Sequence, residues 1–232
     1  MIDPAPATVD RALAEQRELA RLVRLGPARP LPATVVGVDV SYRRGSDAAA
    51  AVAVAIDSAT LELVDRADAV GQSSFPYVPG LLSFKELPLI LAAVSRLRNR
   101  PELLVADGHG YAHPARFGLA CHLGVETGIP TIGCAKTMFV GDHGPLGEER
   151  GDWTEIVDGG EVVGHALRSR AGVKPIYVSP GHLIDFDSAR DIVLALCRTY
   201  RLPETTRQAD HRSRRLLRDL ATSTRGGASG RR

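Results

Sequence analysis

Two apolar runs in this chain each carry one aspartate where a hydrophobic residue would be expected: Val35-Val36-Gly37-Val38-Asp39-Val40 and Leu103-Leu104-Val105-Ala106-Asp107-Gly108. Short runs of β-branched and aliphatic residues bounded by turn signals read as buried strands. An ionised carboxylate on such a strand is costly unless a cation or hydrogen-bond donors compensate it. Two of them on separate strands point to a shared cation. Asp107 is followed by Gly108-His109-Gly110, so it ends its strand against a tight loop, where open α/β sheets place their chemistry.

Around these two runs the pattern predicts a single α/β domain. A helix is expected over 8–25, with Thr8 as N-cap and Gly26-Pro27 as the stop, followed by a proline-rich connector over 29–33. Strands follow over 34–41, 50–56 and 61–70, joined by short turns that suit an antiparallel meander. Next come a helix over 87–98, the strand ending at Asp107, a helix over 114–127 and a short strand over 131–133. Further strands are expected over 161–168 and 176–178, and helices over 188–200 and 204–220. The domain reading is an N-terminal helix and connector over 1–33, a main domain over 34–222, and a disordered basic tail over 223–232. Three antiparallel strands and then helix–strand–helix–strand make a mixed sheet flanked by helices. That order resembles the ribonuclease H-like fold, in which catalytic carboxylates sit on the first strand and on the strand after the first helix. Asp39 and Asp107 occupy those two places.

The chain's 232 residues suffice for one full core, and none of its apolar runs approaches the roughly 18 residues of a membrane span. The opening Met1-Ile2-Asp3-Pro4 lacks the regions of a signal peptide. Cys121, Cys134 and Cys197 share no metal-ligand spacing and read as reduced thiols of a cytoplasmic protein. Net charge is +2, yet the last 26 residues hold eight arginines against two aspartates. Such a segment is an electrostatic footprint for nucleic acid, or a solvated helix face with a disordered tail.

Other residues carry chemistry less directly. Magnesium prefers oxygen donors and is held by one or two carboxylates plus substrate phosphate, which Asp39 and Asp107 can supply. Ser83-x-x-Glu86 spells a capping box, but Pro88 would then fall where a helical N–H is needed, which favours a site role for Glu86. In Phe75-Pro76-Tyr77-Val78-Pro79-Gly80 two prolines stiffen the loop around Tyr77. A rigid aromatic there either wedges into a nucleic-acid stack or packs on the core edge. Pro114, after His109 and His113, suits a helix N-terminus, whose free amides favour phosphate. Zinc is not expected, because cysteine ligands at zinc spacing are missing. Lys136 either counters phosphate charge or is a solvated cation. Ser179-Pro180-Gly181-His182 reads as a polar loop and Trp153 as a core residue.

Assembled, these segments closely resemble the endonuclease V family of deoxyinosine 3′-endonucleases. The resemblance rests on Gly37-Val38-Asp39-Val40-Ser41-Tyr42, Pro76-Tyr77-Val78-Pro79-Gly80, Ser83-Phe84-Lys85-Glu86 and Asp107-Gly108-His109-Gly110-Tyr111-Ala112-His113-Pro114. It continues through Gly133-Cys134-Ala135-Lys136-Thr137, Tyr177-Val178-Ser179-Pro180-Gly181-His182 and the segment from Arg201 to Asp210. It implies a monomeric, magnesium-dependent DNA-repair nuclease, with Mn2+ as a substitute metal. Such an enzyme cleaves the second phosphodiester bond 3′ to a deaminated base, in DNA and by extension in RNA, with no membrane partner. It implies that Asp39 and Asp107 hold the metal and that Glu86 and Asp210 complete the acidic site. Tyr77 becomes the wedge, Lys136 and His113 stand near the scissile phosphate, and Gly80, Leu82, Gly108, Leu119 and Ala135 line the base pocket. The family has histidine or aspartate at the last acidic position, and here His211 follows Asp210 directly. Two alternatives lie within nucleic-acid proteins: another ribonuclease H-like nuclease, and a non-catalytic inosine-binding module. An actin-like sugar kinase shares the Gly-Val-Asp-Val segment but needs a second phosphate loop, which the sequence lacks.

Overall fold

The computed structural model describes residues 8–73 and 75–226, with side chains through Leu220. Its first helix, α1 (Val9–Ala20), is capped by Thr8, whose hydroxyl accepts from the Arg11 N–H at 3.2 Å. It ends well before Gly26-Pro27, the expected stop. Gly26 instead donates its N–H to Ile184 O at 2.8 Å, so tertiary pairing straightens the chain where local propensity would continue the helix.

Among the described residues, nine strands form one sheet: β1 (Thr34–Tyr42), β2 (Ala48–Asp57), β3 (Leu63–Gln72), β4 (Leu104–Ala106), β5 (Thr131–Ala135), β6 (Asp142–His143), β7 (Trp153–Asp158), β8 (Glu161–Leu167) and β9 (Ile176–His182). Their order is β3-β2-β1-β4-β5-β9-β8-β7-β6. The central β1, β4 and β5 are parallel and the other neighbours pair antiparallel. This is the mixed, helix-flanked sheet expected from the sequence.

Side-chain alternation sorts the central strands onto two cores. Val36, Val38, Leu104 and Ala106 pack with α2 (Leu82–Val94) and α3 (Leu119–Thr127) through Leu87, Ile90, Leu119 and Leu123. Val35, Leu103 and Val105 face the other way, onto Ile192, Val193 and Leu196 of α4 (Phe186–Leu196). On that same side, Val52, Val54 and Ile56 of β2 receive Ala209 and Leu216 of α5 (Glu204–Gly226). Gly37 lets α5 lie directly on β1, because a Cβ at this position would overlap the backbone carbonyl of Thr205. Cys121, Cys134 and Cys197 are free and buried. Among the described residues no helix is long and apolar enough to cross a membrane.

Several expected boundaries are corrected. The second helix begins at Leu82 rather than near 87 and runs through Pro88, with Phe84, Leu87 and Ile90 buried on one side of the missing hydrogen bond. Its N-cap is Leu81, so the capping box does not form. Ser83 turns inward instead, with its hydroxyl 3.0 Å from His122 Nδ1. The third helix starts at Leu119, not Pro114. In the preceding loop the Gly118 N–H donates to Gly110 O and the Ala120 N–H to His109 O, amides that an earlier helix would use. Residues 179–182 form the end of β9 rather than a loop. The edge strand β6 and its neighbour β7 escape prediction because they are largely exposed and lack a core-facing run. Trp153 on β7 is 44% exposed instead of buried, with the Arg190 guanidinium 4.2 Å above its ring. Helix α5 continues to Gly226, into the expected tail, and the rest of that tail lies outside the described residues.

Filling the close approach at Gly37 should be costly. We expect Gly37→Ala to lower unfolding free energy by about 2 kcal/mol or more, through overpacking against Thr205. Urea titration checks this, and wild-type stability would mean that α5 can lift from β1 without penalty.

Candidate active site

The two strand aspartates meet because of register. β1 and β4 run parallel with Val38 beside Ala106, so the next residues, Asp39 and Asp107, stand side by side at the strands' carboxyl ends. Alternation sends both carboxylates to the α5 side of the sheet. There Asp210 joins them: carboxylate oxygens of Asp39, Asp107 and Asp210 lie within 4.8 Å of one another. Its neighbour His211 points about 100° away around the helix and is exposed. It belongs to a separate cleft lined by Arg66, Arg212 and Arg215.

Bringing like charges together has an electrostatic signature. Burial, helped by the charges of Asp107 and Asp210, pushes the Asp39 carboxyl up to about 6, against a hydrogen bond from Ser213. Glu86, on α2 and 7% exposed, is pushed up to about 8 by burial and by the charges of Asp39 and Asp107. The Tyr42 hydroxyl donates to Glu86 at 3.4 Å. Lys136, just beyond β5, pairs with Asp107 Oδ2, so it is part of the acidic site rather than a solvated cation. Three close carboxylates with oxygen donors only, two of the site's acids shifted by mutual repulsion and burial, fit a hard divalent cation.

Sequence reasoning missed two supporting residues. Ser213 donates its hydroxyl to Asp39 Oδ2 at 2.6 Å and sits 2.8 Å from Ser41 Oγ. Arg214 pairs with Asp210 Oδ1 at 2.7 Å. Their spacing of three and four residues from Asp210 on a helix was the available signal.

Beside the carboxylates opens a cavity of about 360 Å³. Tyr77, Gly80, Leu82, Gly108, Leu119 and Ala135 all line it, and Asp107 and Lys136 belong to both cavity and acidic cluster. Tyr77 is 70% exposed at the rim and does not pack on the core edge. Its loop is anchored on either side by Phe75 and Leu81, which pack with Phe84 and with Ala12 of α1. His113 stands in the cavity wall beside Gly80, apart from the close trio of aspartates. Burial pulls its imidazole down to about 4, so it is neutral at physiological pH. Phe139 covers both His113 and His109, with ring centroids 5.3 and 5.5 Å apart, and His109 bonds to Thr137 O at 2.9 Å.

A helix-flanked mixed sheet with a carboxylate trio at its switch point, next to a deep cavity, defines an α/β enzyme class that works on phosphate esters. Comparison with known proteins narrows the class. The Endonuclease V family model matches residues 17–211. Endonuclease V of Nocardia farcinica is 53% identical over 214 residues, covering 92% of this chain and 94% of that protein. The crystal structure of Streptomyces avermitilis endonuclease V superposes with a TM-score of 0.90 at 50% identity, covering 94% of this chain and 96% of the other. A Ciona intestinalis endonuclease V, in complex with a 24mer DNA containing an inosine followed by a ribo-adenosine, superposes with a TM-score of 0.78 at 26% identity. It covers 91% of this chain and 98% of that one. The chain belongs to the Endonuclease V family, nucleases that act on phosphodiester bonds.

The acidic site makes cation-free stability depend on pH with a definite sign. Asp39 and Glu86 titrate at about 6 and about 8 in the folded chain, above their ordinary values of 3.8 and 4.5. The folded state therefore binds more protons than the unfolded state, and stability falls as pH rises through that window. In EDTA we expect the melting temperature to drop on the order of 5 °C between pH 5 and pH 8.5. Glu86→Gln should flatten much of that slope. A rising melting temperature over the same interval would contradict the burial of these carboxyls.

Proposed function

We propose that this nuclease recognises a deaminated base, chiefly hypoxanthine, in DNA. It cleaves the second phosphodiester bond on the 3′ side, leaving a 3′-hydroxyl and a 5′-phosphate, as a step in DNA repair in the cytoplasm. The observation that carries this reading is the shared wall: Asp107 and Lys136 belong at once to the carboxylate cluster and to the cavity. A site for chemistry and a site for a base thus lie side by side, as selective cleavage near an extruded nucleotide requires.

Asp39 and Asp107, with Asp210, would hold Mg2+, for which Mn2+ can substitute. When bound, the ion polarises a non-bridging phosphate oxygen and lowers the pKa of water at the site. Lys136 offsets the negative charge that builds on the phosphate oxygens in the transition state. Glu86, on the flank of the carboxylates, orients the attacking water, whose proton passes to solvent. The water oxygen forms a bond to phosphorus as the bond to O3′ breaks in line, and O3′ leaves as the 3′-hydroxyl after gaining a proton from solvent. Ser213 keeps Asp39 oriented through the hydrogen bond to Oδ2.

Base selection occurs in the cavity. Backbone groups around Gly80, Leu82 and Gly108 can read the N1–H and O6 edge of hypoxanthine, where adenine presents the opposite pattern. Leu119 and Ala135 pack on its faces, His113 closes the wall as a neutral imidazole, and Tyr77 fills the space that the base leaves in the stack. The Arg66–Arg212–Arg215 cleft gives the backbone an electrostatic track on the far flank of α5.

Matched DNA and RNA strands with inosine or adenosine, each incubated with Mg2+ or EDTA, test the function. Mg2+-dependent incision only in inosine strands, one nucleotide beyond the base's own 3′ linkage, is expected. Incision that ignores the base would point instead to a general ribonuclease H-like nuclease, and binding without incision to an inosine-binding module. Asp39→Ala and Asp107→Ala should each abolish cleavage in a folded protein, and activity within tenfold of wild type would overturn the carboxylate cation site. Asp210→Ala should lose most turnover with little change in affinity. His211→Ala should keep turnover and at most weaken binding at raised salt, and the reverse pattern would exchange the two roles.

A further inference from the structure

The N-terminal helix carries one buried polar side chain that the chemistry above does not use. Gln16 is 4% exposed. Its amide nitrogen Nε2 donates to Gly80 O at 2.7 Å and also lies 3.4 Å from Phe117 O. These two carbonyls belong to two separate segments at the base cavity. Gly80, with φ +84°, ends the Tyr77 loop and lines the cavity, and Phe117 immediately precedes Gly118 and Leu119, which line it as well. Around this amide Ala12 of α1 packs with Phe75, Leu81 and Phe84, with Val9, Leu13 and Val78 at its edge. Phe117 is fully buried and stacks near His122 at 5.0 Å between centroids.

We propose that Gln16 is a positioning residue that sets the width of the base cavity by tying its two walls together, and so determines selectivity for the deaminated base. This rests on the base-selective reading given above. The physical reason is that the two walls come from segments with no strand or helix hydrogen bonds of their own at these points: a turn at Gly80 and the loop before α3. A buried primary amide is one of the few side chains with two donors to share between two carbonyls. Removing it leaves both carbonyls without this donor and frees the walls to separate, a cost felt where the base must be gripped. Asp39, Asp107, Asp210 and Lys136 are carried by β1, the end of β4, α5 and the end of β5, to none of which Gln16 is hydrogen-bonded, so the cation site keeps its own support.

The test uses the full chain and binding to matched duplexes containing hypoxanthine, guanine or an abasic site, with melting temperatures measured in parallel. Gln16→Met keeps the length and removes both donors. It should weaken binding to hypoxanthine duplex about tenfold, leave abasic binding within twofold, and raise KM while kcat stays within about threefold. Gln16→Glu keeps the shape and offers one donor only when its carboxyl is protonated. Its deficit relative to wild type should shrink as pH falls from 8 to 6. Equal losses on hypoxanthine and abasic duplexes would assign Gln16 to folding alone and overturn the proposal, as would wild-type selectivity in both variants. If wild-type protein itself shows no preference for hypoxanthine over guanine, the base-selective reading fails first and the role of Gln16 falls with it.

Discussion

Three carboxylates converging within 4.8 Å are the constraint around which the rest of the structure is arranged. Without a cation they repel, and burial together with the charges of Asp107 and Asp210 pushes the Asp39 carboxyl up to about 6. The fold must therefore force them together with interactions that do not depend on the ion. It does so with parallel strand register for Asp39 and Asp107, and with close packing of a helix on a glycine for Asp210. Both devices are backbone geometry, which charge repulsion at side-chain tips cannot easily undo.

The same sheet separates the carboxylate cluster from the cavity while keeping them adjacent. Residues at the carboxyl ends of β4 and β5 face both sites, so Asp107 and Lys136 form the boundary. The apolar side of that boundary is built from loops: the proline-stiffened Tyr77 segment and the glycine-rich stretch after Asp107. Loops permit backbone to approach a flat base closely, but they need external support. Phe75, Leu81 and the N-terminal helix provide it, which gives α1 a reason to belong to the functional unit although it adds no strand or carboxylate. On its other flank, α5 contributes Arg212 and Arg215 to the cleft it shares with Arg66, so one helix lines the acidic site on one side and a basic cleft on the other.

Much of the site was legible because its chemistry conflicts with its surroundings. Asp39 and Asp107 interrupt apolar strands, Tyr77 is braced by prolines, and Asp107-Gly108-His109-Gly110 crowds polar and flexible residues at a strand end. The continuous apolar runs around the two aspartates also marked their strands as buried. The helix carrying Asp210 could be recognised from its pattern, and the choice of Asp210 over His211 followed from the family's motif.

What the chain's own pattern determined, then, was the type of most elements and the identity of Asp39 and Asp107, since these depend on local periodicity and on residues that are costly to bury. Only tertiary structure decided where helices begin and which polar groups meet. The third helix starts at Leu119 rather than Pro114 because the loop folds back on itself, with Gly118 and Ala120 donating to Gly110 O and His109 O. Ser83 turns to His122 instead of capping its helix, Trp153 lies exposed under Arg190, and Ser213 and Gln16 find acceptors 174 and 64 residues away in sequence. A side-chain hydrogen bond between remote segments leaves no periodic trace, because its energy depends on a juxtaposition that exists only once the sheet has formed.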